Sequence, residues 1–82
     1  METKTATLTL REARRRAGLG LPACSRRTGV DVPSLLRYET GKTQPRIENA
    51  AKIADALGVR VDEVTEFLPA VREVEAAAKE GS

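Results

Sequence analysis

Apolar side chains recur every three or four positions in several short segments of this chain, the spacing of a helix with one buried face. The clearest segment predicts a helix that starts near Pro45 and ends before Gly58. Strand-like alternation is confined to the short stretch TATLTL near the N-terminus. The pattern therefore predicts an all-α fold of five or six helices. The predicted buried arc of the clearest segment consists of Ile47, Ala50, Ala51, Ile53, Ala54 and Leu57.

Local capping signals give the ends of the first two helices. Thr9 and Glu12 have the spacing of a capping box, which predicts the start of a first helix. Gly18 supplies the left-handed residue that commonly ends a helix. A second helix is predicted to start near residue 21 and to end before Gly29.

A third helix of only about two turns is predicted between Asp31 and Gly41. Asp31 is a favourable N-cap, and its charge suits the helix N-terminus. A helix this short is stable only when one side packs against neighbours, and two short helices joined through a glycine form a helix-turn-helix. Leu35 and Tyr38 are expected to face inward. The outward side then holds Pro33, Arg37 and Thr40, with Leu36 at the border.

The chain is expected to divide into three parts. Residues 1–8 are interpreted as a flexible N-terminal arm, residues 9–68 as the helix-turn-helix domain, and residues 69–82 as a C-terminal helix. A short helix from about Val61 is predicted to complete the domain as its fifth. The last helix is therefore an addition to a five-helix unit.

An apolar stripe at helical spacing runs into the C-terminal helix. It either covers the small core or forms a dimer interface, and we favour dimerisation because two-fold pairing doubles the contacts that one small domain makes with a partner. The candidate dimerisation residues are Phe67, Val71, Val74 and Ala78.

Charge is distributed unevenly along the chain. The net charge is +2, but residues 1–46 carry a balance of +6 and residues 47–82 a balance of −4. A basic half joined to an acidic half indicates that the basic half meets a polyanion.

Composition narrows the classes of function. The chain contains no histidine and one cysteine, Cys24, so zinc-finger chemistry and an internal disulfide are excluded, and we expect no metal or cofactor. Catalytic constellations are also lacking, so an enzyme is not expected. No apolar run is long enough to span a membrane, and the N-terminus lacks the order of a signal peptide, which favours a cytoplasmic protein.

Several joined motifs resemble the lambda-repressor-like, Cro/cI-type helix-turn-helix domain, also called the XRE family. The motifs are RRRAGL, TGV at the turn, RYETGKTQP after the third helix and AAKIADALGV in the fourth, and the resemblance covers roughly residues 8–67. It implies a transcriptional regulator, expected to be a repressor, that binds double-stranded DNA. The apolar stripe of the C-terminal helix adds the expectation of a homodimer. The alternative is an antitoxin-like partner of a toxin, or another protein-interaction adaptor, on the same fold.

The resemblance also implies roles for individual residues. An arginine of the first helix is expected to pair with a glutamate of the third, here Arg14 with Glu39. Thr28 and Cys24 depart from the family pattern, which usually has larger aliphatic residues in both places. Base contacts are expected from Val32, Pro33, Ser34 and Arg37, and phosphate contacts from Lys42 and Thr43. Arg26, from the basic half of the chain, is a further candidate for phosphate contact.

Overall fold

The computed structural model describes residues 8–81, with side chains as far as Ala78, and the regular elements in this part of the chain are all helices. Residues 1–7, most of the expected flexible arm, lie outside the described residues. The prediction of an all-α fold with a C-terminal helix is confirmed. The short helix expected near Val61 takes the form of two 3₁₀ turns, Val61–Glu63 and Thr65–Phe67. The α-helices are α1 (Leu10–Arg16), α2 (Leu21–Thr28), α3 (Val32–Glu39), α4 (Ile47–Leu57) and α5 (Leu68–Gly81).

The capping box predicted at the start of α1 is present. The Thr9 hydroxyl accepts a hydrogen bond from the Glu12 amide at 3.1 Å, and the Glu12 carboxylate accepts one from the Thr9 amide at 2.9 Å. The two bonds satisfy backbone donors that the first turn of a helix leaves without intrahelical partners. The chain therefore enters α1 where the sequence predicts it.

Gly29 makes the turn between α2 and α3. Its φ angle is +77°, a left-handed conformation that disfavours any residue with a Cβ atom. Its amide donates to the Ser25 carbonyl at 2.8 Å, which closes the last turn of α2. The glycine thus lets the chain reverse direction within three residues and start α3 at Val32.

A core of mainly aliphatic side chains packs the four helices α1, α2, α3 and α4 together with the 3₁₀ turns that precede α5. On α4 the predicted arc is buried at Ala50, Ile53, Ala54 and Leu57. Ile47 is half-buried, and Ala51 is exposed because it lies about 100° around the helix from Ala50. The buried cluster consists of Leu8, Leu10, Ala13, Cys24, Val30, Leu35, Tyr38, Ala50, Ile53, Ala54, Leu57, Val64 and Phe67.

Phe67 is a core residue, so its assignment to the dimer interface is wrong. Its side chain is fully buried, and the residue belongs to the second 3₁₀ turn, before α5 begins at Leu68. A 3₁₀ turn has about 3.0 residues per turn, so the phase of the α5 stripe does not extend back through it. The exposed part of the stripe is limited to α5.

Leu8 also belongs to the core, although the sequence analysis assigned it to the flexible arm. Its amide donates to the Glu63 carbonyl at 3.0 Å, and its carbonyl accepts from the Thr65 amide at 2.8 Å. Two residues further on, the amide of Leu10, the first residue of α1, donates to the Glu66 carboxylate at 2.8 Å. The segment of 3₁₀ turns therefore holds the start of α1 through contacts between residues more than fifty positions apart.

Candidate nucleic-acid interface

Thr28 fixes the turn of the helix-turn-helix from inside. Its buried hydroxyl donates to the Cys24 carbonyl at 2.8 Å and accepts from the Val30 amide at 3.1 Å. The hydroxyl thus satisfies a buried amide that an aliphatic side chain would leave without a partner. Thr28 departs from the family pattern, and its two hydrogen bonds compensate for the burial of its hydroxyl group. Burial raises the pKa of the neighbouring Cys24 thiol, which is neutral at pH 7.

Arg14 attaches the C-terminal end of α3 to α1. Its Nε donates to Glu39 Oε2 at 2.6 Å and its Nη2 to Glu39 Oε1 at 3.2 Å, while its Nη1 donates to the Leu19 carbonyl at 3.0 Å. The Glu39 side chain is only 1% exposed. The hydrogen bond to Glu39 raises the pKa of Arg14 despite partial desolvation. Arg14 and Glu39 therefore form the pair that the family resemblance implies.

Two further contacts hold the inner side of α3. Leu35 is 1% exposed within the core. Tyr38 is also buried, and its hydroxyl accepts a hydrogen bond from Asn49 Nδ2 on α4 at 3.1 Å. Together with the Arg14 pair, these contacts attach one short helix to α1, α2 and α4. These attachments fix the direction in which the opposite side of α3 faces.

The loop after α3 uses its backbone amides to close the helix. The Lys42 amide donates to the Arg37 carbonyl at 2.9 Å, and the Gly41 amide donates to the Tyr38 carbonyl at 3.2 Å. These two bonds define a Schellman motif, for which Gly41 has a φ angle of +77°. The Thr43 amide also points at the Arg37 carbonyl, at 3.4 Å. Any phosphate contact from this loop must therefore come from the side chains.

The outer side of α3 lies open and forms a shallow depression of about 260 Å³. Among the described residues, neither Arg37 nor Lys42 forms an ion pair. The Thr40 hydroxyl donates back to the Leu36 carbonyl at 2.9 Å, which leaves its lone pairs available. The surface combines apolar groups with two cations. We call it the α3 outer face: Pro33, Leu36, Arg37, Thr40 and Lys42.

The N-terminal end of α3 is closed by Asp31. Its carboxylate accepts from the Ser34 hydroxyl at 2.9 Å and from the Ser34 amide at 3.3 Å. These hydrogen bonds, with a smaller contribution from the charge of Arg37, lower the pKa of Asp31. Ser34 is half-buried and has its proton engaged in the cap, and Val32 is also half-buried.

Two of the four predicted base-contact residues, Pro33 and Arg37, therefore lie on the α3 outer face, and the other two lie beside it. The sequence reasoning left Leu36 at the border, but this side chain is 44% exposed within the depression. Leu36 lies three residues after Pro33, about one helical turn away, and this spacing indicates that it belongs to the outward side of α3.

The three predicted phosphate contacts, Lys42, Thr43 and Arg26, are all exposed. Lys42 and Thr43 follow α3 directly, and Arg26 lies in the last two turns of α2, before the turn of the motif. Lys42 is itself part of the α3 outer face, whereas Thr43 follows that face along the chain and Arg26 precedes it. Their contacts with phosphate remain predictions.

Residues 8–81 contain no group of three or more histidine, cysteine or acidic side chains that could hold a metal ion. Among these same residues, no helix has both the length and the apolar character needed to cross a membrane.

A short helix anchored on three sides after a glycine turn, with its fourth side open, defines a helix-turn-helix protein. The chain belongs to this family: the family described as helix-turn-helix domain matches residues 7–67. The match covers α1 to α4 and the 3₁₀ turns and ends where α5 begins. The resemblance to the lambda-repressor type is thus confirmed at the level of the family.

A curated protein is similar over a shorter segment. The chain is 44% identical over 36 residues to the cryptic phage CTXphi transcriptional repressor RstR of Vibrio cholerae serotype O1, strain ATCC 39315 / El Tor Inaba N16961. The aligned segment covers 44% of this chain and 32% of the relative, so the chain matches about a third of that protein's length. No solved structure matches the chain significantly.

Proposed function

We propose that this protein is a transcriptional regulator that inserts α3 into the major groove of double-stranded DNA. The observation that carries the proposal is the opposition between the two sides of α3. The inner side is fixed to three other helices, and the outer side presents Arg37 and Lys42 without ion-pair partners among the described residues. An α-helix fits the major groove of B-DNA and reads base edges there.

Arg37 is the residue best suited to sequence reading. It is exposed in the last turn of α3, and a guanidinium group can donate two hydrogen bonds to O6 and N7 of guanine. Lys42, Thr43 and Arg26 would bind phosphates, which position the protein without reading sequence. Val32 and Ser34, beside the open surface, would contact bases only at its edge.

The proposal includes repression as the direction of regulation. The name of the similar protein from Vibrio cholerae describes it as a phage transcriptional repressor. A protein that occupies a promoter through α3 would exclude other proteins from the same stretch of duplex. The narrower assignment to the XRE family is part of this proposal. The alternative of a toxin partner or adaptor receives no comparable support.

We further propose that the protein acts as a homodimer. A single domain of this size offers few phosphate contacts, and two-fold pairing would let two α3 helices read half-sites about one helical turn apart. On α5, Val71 is half-buried, whereas Val74 and Ala78 are exposed. Val74 also borders a groove of about 380 Å³ between α5 and the start of α4. A second copy of the chain would cover this apolar face.

In the proposed domain organisation, residues 9–68 bind DNA and residues 69–82 mediate pairing. The protein would work by binding rather than by catalysis and would act in the cytoplasm, where bacterial DNA resides. Arg14 and Glu39 would contribute by holding α3 in place and would not touch DNA themselves.

The test is to select duplexes from a random pool and to measure the affinity of the best one between 50 and 200 mM salt. Release of counterions predicts a steep fall in affinity, roughly tenfold or more over this range. Arg37→Ala should relax base preference at one position and cost about 1–3 kcal/mol of discrimination. Arg72→Ala on α5 is the matched control, since Arg72 is an exposed arginine far along the chain. Salt-independent affinity, or unchanged preference in Arg37→Ala, would refute the proposal.

A further inference from the structure

The α3 outer face combines two recognition chemistries along one line of the helix. Three of its members lie on α3 at positions 33, 36 and 37, and the C-cap Thr40 continues the spacing of a single stripe. The seven steps from residue 33 to residue 40 rise about 10 Å, which is roughly three base-pair steps of B-DNA. The two ends of the stripe differ. Pro33 and Leu36 are apolar, whereas Arg37, Thr40 and Lys42 are cationic or polar.

We propose that this face reads a pyrimidine that carries a C5-methyl group next to a guanine. The inference rests on the proposed DNA-binding function and specifies the base pairs that the same site takes. The C5-methyl of thymine projects into the major groove, where apolar side chains contact it, and guanine presents O6 and N7 to an arginine. Leu36 contacts the methyl group, and Arg37, its neighbour in the chain, binds the guanine.

The exposure of Leu36 supports this assignment. The side chain is 44% exposed, at a place where the protein's own core offers it no cover. The cations beside it, Arg37 and Lys42, favour a polyanion as the partner that covers it. Asp31, the N-cap of the same helix, has both carboxylate oxygens engaged by Ser34. A DNA duplex supplies both the negative charge and the methyl group.

The hydrogen bonds of Thr40 sharpen the expected specificity. Because its hydroxyl donates to the Leu36 carbonyl, it offers an acceptor rather than a donor to an incoming base. Apolar groups provide no donor for the O4 or O6 oxygens of bases. With Lys42 assigned to a phosphate, Arg37 is the donor that distinguishes base pairs at this face, and the methyl contact supplies the second part of the preference.

Two bases can present the same methyl group, and the experiment separates them. Each thymine of the selected duplex is replaced singly by deoxyuridine, which removes only the methyl group. Burial of one such carbon predicts about a fourfold loss of affinity at the contacted position. In a second set of duplexes, each cytosine that precedes a guanine is replaced by 5-methylcytosine. A fourfold gain in this set alone would assign the site to methylated cytosine rather than thymine.

Variants of Leu36 connect the effect to this side chain. Leu36→Ala and Leu36→Asn should bind the thymine and uracil duplexes equally, whereas Leu36→Met, which keeps an apolar side chain, should retain a preference. Since Leu36 is exposed, unchanged thermal unfolding of each variant verifies that the fold is intact. A methyl preference that persists in Leu36→Ala would overturn the assignment to Leu36.

The failure of this inference is distinguishable from failure of the proposed function. If the protein binds a duplex with steep salt dependence but responds to no methyl substitution, the methyl-reading proposal is wrong and DNA binding stands. If no duplex is retained from the random pool, both proposals are wrong.

Discussion

The helices α3 and α5 each expose one large hydrophobic side chain, and the charges around these side chains are opposite. Leu36 on α3 is 44% exposed, and Val74 on α5 is 46% exposed. Leu36 is followed by Arg37, whereas Val74 lies between two glutamates, Glu73 and Glu75. Equal apolar exposure thus produces two different surfaces. The first attracts a polyanion, and the second repels one.

The two helices also differ in how firmly they are held. The eight residues of α3 are attached through a buried ion pair, a tyrosine hydroxyl and a capped turn. In α5, Ala70 is buried near the start, but every side chain from residue 72 to residue 78 is exposed. Reading base edges requires side chains held in a fixed pose by their supporting contacts. The comparison therefore supports a reading role for α3 and a pairing role for α5.

Breaking the pair between Arg14 and Glu39 should have the largest effect on stability. Glu39→Ala leaves the partly buried Arg14 guanidinium without its partner, which predicts a loss of about 3 kcal/mol of unfolding free energy. The value lies at the low end for buried pairs because the Arg14 side chain keeps 12% exposure. Denaturant titration measures the loss. Arg15→Ala, at the adjacent exposed position, is the control and should change stability little. Equal stability of the two variants would show that α3 is held by other contacts.

Replacing Thr28 by valine should have the next largest effect. The change leaves the buried Val30 amide without an acceptor and predicts a loss of about 1–3 kcal/mol. Thr40→Val is a matched control, because the Thr40 hydroxyl makes the same kind of hydrogen bond to a carbonyl four residues earlier, but at an exposed position. Thermal unfolding compares the two. Equal losses would mean that burial of the Thr28 hydroxyl is unimportant.

A charge on the exposed face of α5 should disrupt the proposed dimer. Burial of a valine contributes about 1.5 kcal/mol, so Val74→Glu predicts at least a tenfold weaker dimer. Sedimentation at several concentrations measures this change in mass. Ala51→Glu on the exposed side of α4 is the control, and it should leave the mass unchanged. A Val74→Glu variant with unaltered mass would leave α5 without a pairing role.

The smallest expected effect concerns the cap of α3. Because hydrogen bonds lower the pKa of Asp31 in the folded state, its contribution to stability is present above the ordinary value of 3.8 and is lost as pH falls through the lowered value. Asp31→Asn keeps an acceptor that does not titrate. Below about pH 4, the melting temperature of Asp31→Asn should therefore rise relative to that of the original protein. A constant difference from pH 6 to pH 3 would contradict the capping role of the charge.

The sequence predicted those parts of the fold that depend on neighbouring residues. Thr9, Gly29 and Asp31 end or start helices through hydrogen bonds and dihedral angles within four positions, so the helix ends are close to those predicted. The errors arose where distant segments meet. Leu8 is buried because it pairs with the segment around residue 64, and Phe67 is buried because 3₁₀ turns interrupt the helical period. Neither effect is visible in local spacing.

The candidate site, like the fold, was predicted in part. The pairing of Arg14 with Glu39 came from the family pattern, and the open position of Arg37 followed from helical periodicity. Leu36 was left at the border because a helical projection does not say how far neighbouring helices reach around α3. The Ser34 hydroxyl donates its proton to Asp31, and this bond competes with any contact to a base.

The most direct test of the central claim is to titrate a selected duplex into isotope-labelled protein and to follow each backbone amide by NMR. We predict that the largest shifts occur for Leu36, Arg37, Thr40 and Lys42, and that amides from residue 75 to residue 78 of α5 remain unchanged by contact with DNA. Shifts centred on α5, with the amides of α3 unmoved, would contradict the account.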